Sequence, residues 1–257
     1  MIVHHRLDGS PDAPVLLLSH GLGTSLELWD ANLPSWTPRF SVLRYDQRGH
    51  GRSPIPDSGS TVDDLGRDVL ELLDRLELDK VSFCGISLGG ATGLWLAANA
   101  PDRIERLVVA CSSATFGGPD QWLERAAAVR SHGIASIADA VVARWFTPAF
   151  AAAKPDIVRT YTEMLLRTPA EGYAACCEAV AAWDFRDELG TVAVDTLVVA
   201  GADDPATPVD HSREIAAGVG SSRIEVLEHA AHLANAERPA AFGELVASYV
   251  GETQEVR

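Results

Sequence analysis

Short apolar runs and longer amphipathic stretches alternate along this chain. Residues 15–18, 81–84 and 196–200 are almost continuously apolar over the length of one strand, which is typical of strands buried on both faces of a parallel sheet. Residues 61–76 place leucine and valine at helical spacing, with Thr61 as the N-cap. The same patterns predict further strands at 2–7, 41–45, 106–111 and 223–227 and further helices at 29–36 and 238–250. This alternation predicts an α/β fold with a mostly parallel central sheet flanked by helices.

The strand pattern stops between residues 115 and 191, where alanine-rich segments with helical spacing replace it. Prolines mark breaks between the helices predicted there, at 121–130, 134–145, 155–166 and 169–183. Because the strand pattern resumes at 196–200, these helices interrupt one domain and do not open a second. We therefore expect a core of residues 1–114 and 192–257, with residues 115–191 forming a helical lid at the carboxyl edge of the sheet.

The charge of the chain narrows its possible partners. Of its 257 residues 47% are hydrophobic, which is enough for a sizeable core, and 36 acidic residues outnumber 21 lysines and arginines to give a net charge of -15. This balance argues against nucleic acid and anionic membranes as partners. No apolar segment resembles a signal peptide or a membrane span, so we expect a cytoplasmic protein. The sequence leaves the oligomeric state open.

The cysteines have no spacing that suggests metal binding. Cys84 and Cys111 lie in predicted core strands, and Cys176 and Cys177 are neighbours in a predicted helix. We expect all four to be reduced structural thiols and expect no metal site.

A G-x-S-x-G motif at 85–89 joins the predicted strand 81–84 to a helical pattern that begins at Gly90. A turn this sharp leaves almost no room for side chains beside the serine, which accounts for Gly85 and Gly89. Ser87 is then exposed at the tip of the strand as a nucleophile. The backbone N–H of Leu88, at the start of the helix, is free to donate to an oxyanion.

A serine hydroxyl needs a base, and the base needs a carboxylate to orient it. Both residue types follow late strands, as the order serine, acid, histidine requires. Asp203 and Asp204 follow the strand at 196–200, and His229 and His232 follow the strand at 223–227. Spacing alone does not separate the two aspartates.

These motifs resemble those of the α/β-hydrolase superfamily. The segment 20–23 matches H-G-x-G, and the segment 46–53 matches D-x-R-G-x-G-x-S. The first resemblance implies that the Leu22 backbone N–H is the second oxyanion donor and that His20 braces the loop. The second implies an architectural loop, so Asp46 and His50 are not expected to be catalytic.

The same resemblance separates the candidate partners of Ser87. The superfamily pattern G-x-x-D selects Asp204 as the acid, and the pattern H-x-x-x-x-E-x-P selects His232 through Glu237 and Pro239. The implied mechanism is attack by Ser87 on an acyl carbonyl while His232 accepts its proton and Asp204 orients the imidazole. Water then hydrolyses the acyl-enzyme, and no cofactor is implied.

Two segments of the predicted lid are similar to those of the 3-oxoadipate enol-lactonases. They lie at 144–150 and 171–179, and the similarity extends over nearly the whole chain. The resemblance implies hydrolysis of 3-oxoadipate enol-lactone to 3-oxoadipate in aromatic catabolism. This substrate is a small anion, so local positive charge should lie near the pocket. Arg144 is the favoured candidate over Arg125 and Arg130, and Trp145 is a candidate pocket wall.

Other functions share these core motifs. A broad carboxylesterase or a C–C bond hydrolase would use the same triad on other substrates. A non-catalytic receptor for a small molecule on a hydrolase scaffold is the alternative from another class. Competing substrates would separate the first two from the enol-lactonase hypothesis, and absence of turnover would favour the third.

Overall fold

The central sheet is built from the strands that the hydropathy pattern predicts. The computed structural model describes residues 1–57 and 59–252. In that part of the chain seven strands form one sheet in the order β1-β3-β2-β4-β5-β6-β7, in which β1 is antiparallel to β3 and the other pairs are parallel. The strands are β1 His5–Asp8, β2 Val15–Ser19, β3 Ser41–Tyr45, β4 Val81–Ile86, β5 Ile104–Ala110, β6 Thr196–Gly201 and β7 Ser222–Leu227. The predicted α/β class is confirmed.

Helices cover both faces of the sheet and its carboxyl edge. The α-helices of the described residues are α1 Leu33–Trp36, α2 Val62–Arg75, α3 Leu88–Asn99, α4 Pro119–His132, α5 Ala138–Val142, α6 Pro148–Ala153, α7 Pro155–Leu166, α8 Ala170–Ala181, α9 Val209–Gly218, α10 Ala234–Glu237 and α11 Pro239–Gly251. Four 3₁₀ segments, Leu26–Asn32, Pro101–Arg103, Ile134–Ser136 and Arg186–Thr191, connect them. No helix among residues 1–57 and 59–252 is long and apolar enough to cross a membrane.

Alternation along the strands divides the core between the two faces of the sheet. Leu16 and Leu18 of β2 face one cluster with Trp29 and Phe242, whereas Leu17 between them faces the other cluster with Val69. All three leucines are fully buried. Strands covered on both faces must be apolar at every position, which is why these runs are continuous in the sequence.

The helices between β5 and β6 differ from the sequence prediction in detail. The helix predicted over 134–145 is interrupted: it begins as a 3₁₀ turn, continues as α5, and ends at Val142. The following N–H groups of Arg144 and Trp145 donate to carbonyls three residues back, so the chain turns there. Pro148 begins helix α6, with Thr147 as its N-cap, because proline is well suited to the first helical position. Helix α9 was missing from the prediction.

Loops from four strands meet at the carboxyl edge of the sheet, below helices α4 to α8. They follow β2, β4, β6 and β7, and they carry the residues singled out by the motif analysis. Parallel strands bring their carboxyl ends to one edge, so groups far apart in sequence become neighbours there. The candidate functional site therefore lies at this edge.

Candidate active site

Ser87 stands between β4 and α3 in an unusual backbone conformation. Its φ of 57° and ψ of -119° lie outside the regions that residues other than glycine ordinarily occupy. A Cβ on Gly85 would lie 2.1 Å from the Gly89 carbonyl oxygen, so glycine is required where the chain reverses. The Ser87 N–H donates to the Ala110 carbonyl at 2.9 Å, and the Ser112 hydroxyl donates to the Ser87 carbonyl at 2.7 Å. These contacts with β5 and the residues after it hold the serine in place.

His232, in the loop after β7, lies within hydrogen-bond distance of Ser87. Its Nε2 is 3.0 Å from Ser87 Oγ, and its Nδ1 is 2.8 Å from Asp204 Oδ2. When Nδ1 carries the proton and donates to the carboxylate, Nε2 accepts from the serine hydroxyl. This is the arrangement that a general base requires. His232 is buried and Ser87 is half-buried.

Asp204 is held by donors on both carboxylate oxygens. The backbone N–H groups of Ala206 and Thr207 donate to Oδ1 at 2.8 and 3.0 Å. The Thr207 hydroxyl donates to Oδ2 at 2.7 Å, beside the His232 bond. Burial acts to raise the pKa of Asp204, but the His232 imidazole and the hydrogen bonds from His232 and Thr207 outweigh it, so the pKa lies below its usual value. The Asp204 carboxylate is therefore ionised and can accept a hydrogen bond from the His232 imidazole.

The competing candidates lie elsewhere. Asp203 is exposed, although its N–H donates to the Ala230 carbonyl at 2.9 Å and so joins the loops after β6 and β7. His229 is also exposed, in a turn with a φ of 57°. The structure thus brings Ser87, His232 and Asp204 together and leaves Asp203 and His229 outside the group.

Two backbone amides at this edge are available to an oxyanion. In the described part of the chain, neither the Leu22 N–H nor the Leu88 N–H donates to another protein group. Leu88 is the first residue of α3, so its amide has no intrahelical acceptor. Leu22 and Ser87 line the same pocket, and a Cβ on Gly21 would lie 3.3 Å from Ser87 Cβ. The predicted oxyanion loop therefore lies beside the nucleophile.

Two buried histidines support the oxyanion loop. His50 Nε2 accepts from the Gly23 N–H at 3.0 Å, and His20 Nε2 accepts from the Gln47 N–H at 2.9 Å. Burial is the main cause that lowers the pKa of both, for His50 to about 3, where the charge of His20 acts in the same direction. Neutral imidazoles can accept these bonds, whereas imidazolium ions cannot. Both histidines are therefore structural, and within the described residues neither imidazole is hydrogen-bonded to Ser87.

Ser87 and His232 open into a pocket of about 460 Å³, including the part open to solvent. The wall is largely apolar and aromatic, but it also contains the side chains of Arg125 and Arg144. The remaining lining residues are Leu22, Phe116, Trp122, Val141, Trp145, Tyr173, Ala206 and Thr207.

The two pocket arginines have no carboxylate partner within ion-pair distance among the described residues. Burial lowers the pKa of Arg144, and the nearby charge of Arg125 lowers it further. The Arg125 guanidinium lies over the Trp122 ring, 4.4 Å from its centroid. Two guanidinium groups that repel each other beside a nucleophile create a local site for an anion.

Arg130, the third arginine considered from the sequence, has another role. It forms ion pairs with Glu171 at 2.6 Å and with Glu178 at 2.5 Å, and it does not line the pocket. Both partners lie on α8, so this arginine joins helices α4 and α8 at the surface. Its candidacy as a pocket cation is wrong because its donors are already used.

Several pocket residues were missing from the sequence prediction. Thr207 lies only three residues after Asp204, so the acid loop itself was a usable signal. Trp122 precedes Arg125 by three residues on α4, a spacing that places both side chains on one helix face. Tyr173 had no such signal, because its role depends on how α8 packs. Among the described residues, no cluster of three or more His, Cys, Asp or Glu side chains could hold a metal ion.

Comparisons with known proteins agree with this geometry. Residues 14–239 match the family of the α/β-hydrolase fold. A relative named 3-oxoadipate enol-lactonase 2, from Acinetobacter baylyi, is 42% identical over 238 residues, which cover 93% of this chain and 89% of the relative. The solved enol-lactonase from Burkholderia xenovorans superposes with a TM-score of 0.95 at 39% identity, covering 97% of this chain and 96% of that chain. A solved hydrolase from Pseudomonas aeruginosa gives 0.94 at 44% identity, covering 97% and 94%.

Proposed function

The chain belongs to the α/β-hydrolase family, and from that premise we propose that it hydrolyses 3-oxoadipate enol-lactone to 3-oxoadipate in aromatic catabolism. The observation that carries the proposal is the hydrogen-bonded group of Ser87, His232 and Asp204, which opens into a pocket lined by two arginines that have no carboxylate partner among the described residues. An enol-lactone with a free carboxylate needs both features. The similarity to enol-lactonases over nearly the whole chain supports the same substrate.

In the proposed acylation step, Ser87 Oγ attacks the lactone carbonyl while His232 Nε2 takes the hydroxyl proton. The amides of Leu22 and Leu88 donate to the oxyanion, and Asp204 stabilises the imidazolium. Collapse of the tetrahedral intermediate breaks the ring C–O bond, and the leaving enolate oxygen receives the proton from His232. The enol, which stays attached to the acyl group on Ser87, becomes a ketone, and this makes reversal of the step unfavourable.

Water completes the reaction. His232, now neutral, removes a proton from water, whose oxygen attacks the ester carbonyl of the acyl-enzyme. The bond to Ser87 Oγ breaks, the serine recovers its proton from His232, and 3-oxoadipate leaves with a second carboxylate. Every group in this sequence belongs to the chain or the substrate, so the proposed mechanism uses no cofactor.

Recognition of the substrate carboxylate falls to Arg144 and Arg125. Both line the pocket of Ser87, and neither has a carboxylate partner among the described residues. Trp122 holds the Arg125 guanidinium by stacking, and Trp145 forms part of the pocket wall. A carboxylate that accepts from both guanidinium groups would relieve their mutual repulsion. Local charge thus allows a protein of net charge -15 to bind an anion.

The proposal also includes a cytoplasmic setting and no nucleic-acid or membrane partner. The four cysteines are buried free thiols, as is usual in a reducing compartment. The acidic charge balance disfavours anionic surfaces.

The first test is the initial rate of lactone loss with purified protein. Wild type should hydrolyse 3-oxoadipate enol-lactone far faster than a neutral p-nitrophenyl ester, and Ser87→Ala should lower both rates by about 10⁴-fold or more. Ester turnover without lactone turnover would retain the catalytic group and remove the substrate assignment. Turnover of neither would favour a receptor.

The second test separates the arginines. Arg144→Ala and Arg125→Ala should each raise KM for the lactone about 10- to 100-fold, because a charge-assisted hydrogen bond contributes about 1.5–3 kcal/mol. KM for the neutral ester should change little. Arg130→Ala is the matched control, because this arginine is paired outside the pocket. Equal effects on lactone and ester would contradict the carboxylate role.

A further inference from the structure

A buried carboxylate joins the lid to the loop of the catalytic histidine. Glu237, the last residue of α10, is 5% exposed. Its Oε2 accepts from the Ala231 N–H at 2.9 Å, next to His232 in the chain. Its Oε1 accepts from the Thr147 N–H at 3.0 Å and also from the Thr147 hydroxyl. One side chain therefore binds two segments that are more than 80 residues apart.

A second bond lies on the other side of His232. The Leu233 N–H donates to the Trp145 carbonyl at 2.9 Å. The amides before and after His232 are thus both bound, one through Glu237 and one directly, to the segment 145–147. Arg144, immediately before this segment, and Trp145, its first residue, line the same pocket as Ser87.

The donor set around Glu237 explains why a carboxylate is needed. Its hydrogen-bond partners among the described residues are all donors: two backbone N–H groups and one hydroxyl. A glutamine would turn its NH₂ group toward at least one of them and lose that bond. No lysine or arginine lies within ion-pair distance of Glu237 in the described part of the chain, so these hydrogen bonds alone compensate its burial.

We infer that Glu237 is a positioning residue that holds the pocket segment 144–147 and the loop of His232 in one arrangement. Substrate bound by Arg144 is then presented to a base whose position relative to the lid is already set. This inference rests on the proposed role of His232 as the base, but it does not depend on which ester or lactone is the substrate. Small displacements of a catalytic group matter, because about 1 Å can cost about 10²-fold in rate.

Two variants separate the two ends of this connection. Glu237→Gln loses at least one of the bonds that hold the two segments together, so it should lower kcat for the lactone and for a neutral p-nitrophenyl ester by about 10- to 100-fold. Thr147→Val removes the hydroxyl bond to Glu237 together with the N-cap bond from the Phe150 N–H, both on the lid side, and leaves the bond from Ala231 to Glu237 in place. It should lower kcat/KM for the lactone about tenfold and change ester hydrolysis less than about twofold. Thr147→Ser keeps the hydroxyl and should restore lactone activity.

Asn235→Ala provides the matched control. Asn235 lies on the same short helix and its amide donates to the Leu28 carbonyl at 3.1 Å, but among the described residues its side chain forms no hydrogen bond with segment 144–147. It should lower thermal stability and leave the ratio of lactone to ester activity unchanged. A purely structural role for Glu237 predicts the same behaviour for Thr147→Val, so an unchanged ratio in that variant would overturn the inference.

A third readout keeps this result separate from the substrate assignment. The rate of Ser87 phosphonylation by a neutral organophosphorus ester requires the nucleophile and its base but no lid arginine. If wild type hydrolyses no lactone, the proposed substrate is wrong, and Glu237→Gln is then judged by this rate. A fall of about tenfold or more supports the positioning role, and a wild-type rate contradicts it.

Discussion

The backbone of Ser87 shows how single residues are held at cost to the rest of the fold. A non-glycine residue at a φ of 57° and a ψ of -119° carries strain of about 1–3 kcal/mol. The Ala110 carbonyl and the Ser112 hydroxyl bind its amide and carbonyl. Glycines at 85 and 89 allow the adjoining chain to approach within a distance that no Cβ would permit. Ser87 is therefore held in this conformation by contacts with neighbouring residues, against its own backbone preference.

Neighbouring aspartates in the same loop allow a controlled test of the acid. Asp204→Asn should lower kcat about 10⁴-fold, because the amide would donate to His232 and impose the wrong tautomer. Asp203→Asn is the matched control, since this carboxylate is exposed. Its kcat should remain within about twofold of wild type, because its side chain lies outside the relay. Steady-state kinetics on any turned-over ester, with circular dichroism to verify folding, would measure both. Comparable losses in the two variants would contradict the assignment of Asp204.

His50 provides a prediction for stability against pH. Burial, with the charge of His20, lowers its pKa from 6.5 to about 3 in the folded protein. The unfolded chain therefore binds the extra proton between these values, and the free energy of unfolding falls as the pH falls below 6.5. The loss is about 1.4 kcal/mol per pH unit, or about 2 kcal/mol at pH 5.

Urea unfolding at pH 7 and pH 5 would measure this effect. His50→Gln should be less stable than wild type at pH 7, because the Gly23 N–H loses its imidazole acceptor. It should also lose about 2 kcal/mol less than wild type on acidification. The same substitution at the exposed His229 should preserve the wild-type pH dependence. An unaltered pH dependence in His50→Gln would show that this imidazole is not the source.

At the scale of elements, helix α8, between β5 and β6, meets the loops of the sheet in close backbone contacts. Gly172 of α8 meets Gly49, in the loop after β3, so closely that a Cβ on Gly172 would lie 2.0 Å from the Gly49 carbonyl oxygen. The next residue, Tyr173, reaches the pocket, and its ring would lie 3.0 Å from a Cβ on Gly23. One helix thus packs against the architectural loop and the oxyanion loop together.

Gly172→Ala should therefore disturb this helix more than its size suggests. Overpacking against backbone costs about 1–3 kcal/mol, and the displaced Tyr173 should raise KM for the lactone. Gly190→Ala is the control, because a Cβ there would meet nothing within 4 Å. Thermal unfolding and lactone kinetics would check both variants. Equal melting temperatures for the two would show that α8 shifts without cost.

At the scale of the whole molecule, the core buries all four cysteine thiols. The four cysteines are free and buried. Burial raises the pKa of each thiol, for Cys176 and Cys177 to about 12. A thiol that is both inaccessible and protonated is a poor nucleophile.

A thiol titration would test whether the four buried thiols are inaccessible to reagent in the native protein. Native protein should show no rapid reaction with Ellman's reagent at pH 8, whereas protein in concentrated denaturant should show four thiols per chain. Added reductant should leave the melting temperature unchanged. Rapid reaction of one thiol in the native protein would indicate that the helices near Cys176 and Cys177 open readily.

Much of the architecture was readable from the sequence because its signals are local. Strand β3 at 41–45 and helix α7 at 155–166 have the predicted bounds. A buried strand is recognised by a short apolar run and an amphipathic helix by its helical spacing, and both signals lie within the element itself. Where a signal was weak or shared, the prediction failed. The helix expected over 134–145 ends at Val142, and beyond it the Trp145 carbonyl accepts from the Leu233 N–H in the loop of His232, a contact that no local pattern encodes.

The sequence by itself determined the α/β class, the serine turn and the order in which nucleophile, acid and base follow their strands. Tertiary structure alone decided which groups touch. The motif resemblance had already favoured Asp204 over Asp203, and the fold placed Asp204 against His232, paired Arg130 with acidic neighbours and left Arg125 and Arg144 lining the pocket. It also brought Glu237 to Thr147. These contacts join residues far apart in the chain. They form only when helices α4 to α8 pack against the edge of the sheet, so a local sequence pattern cannot predict them.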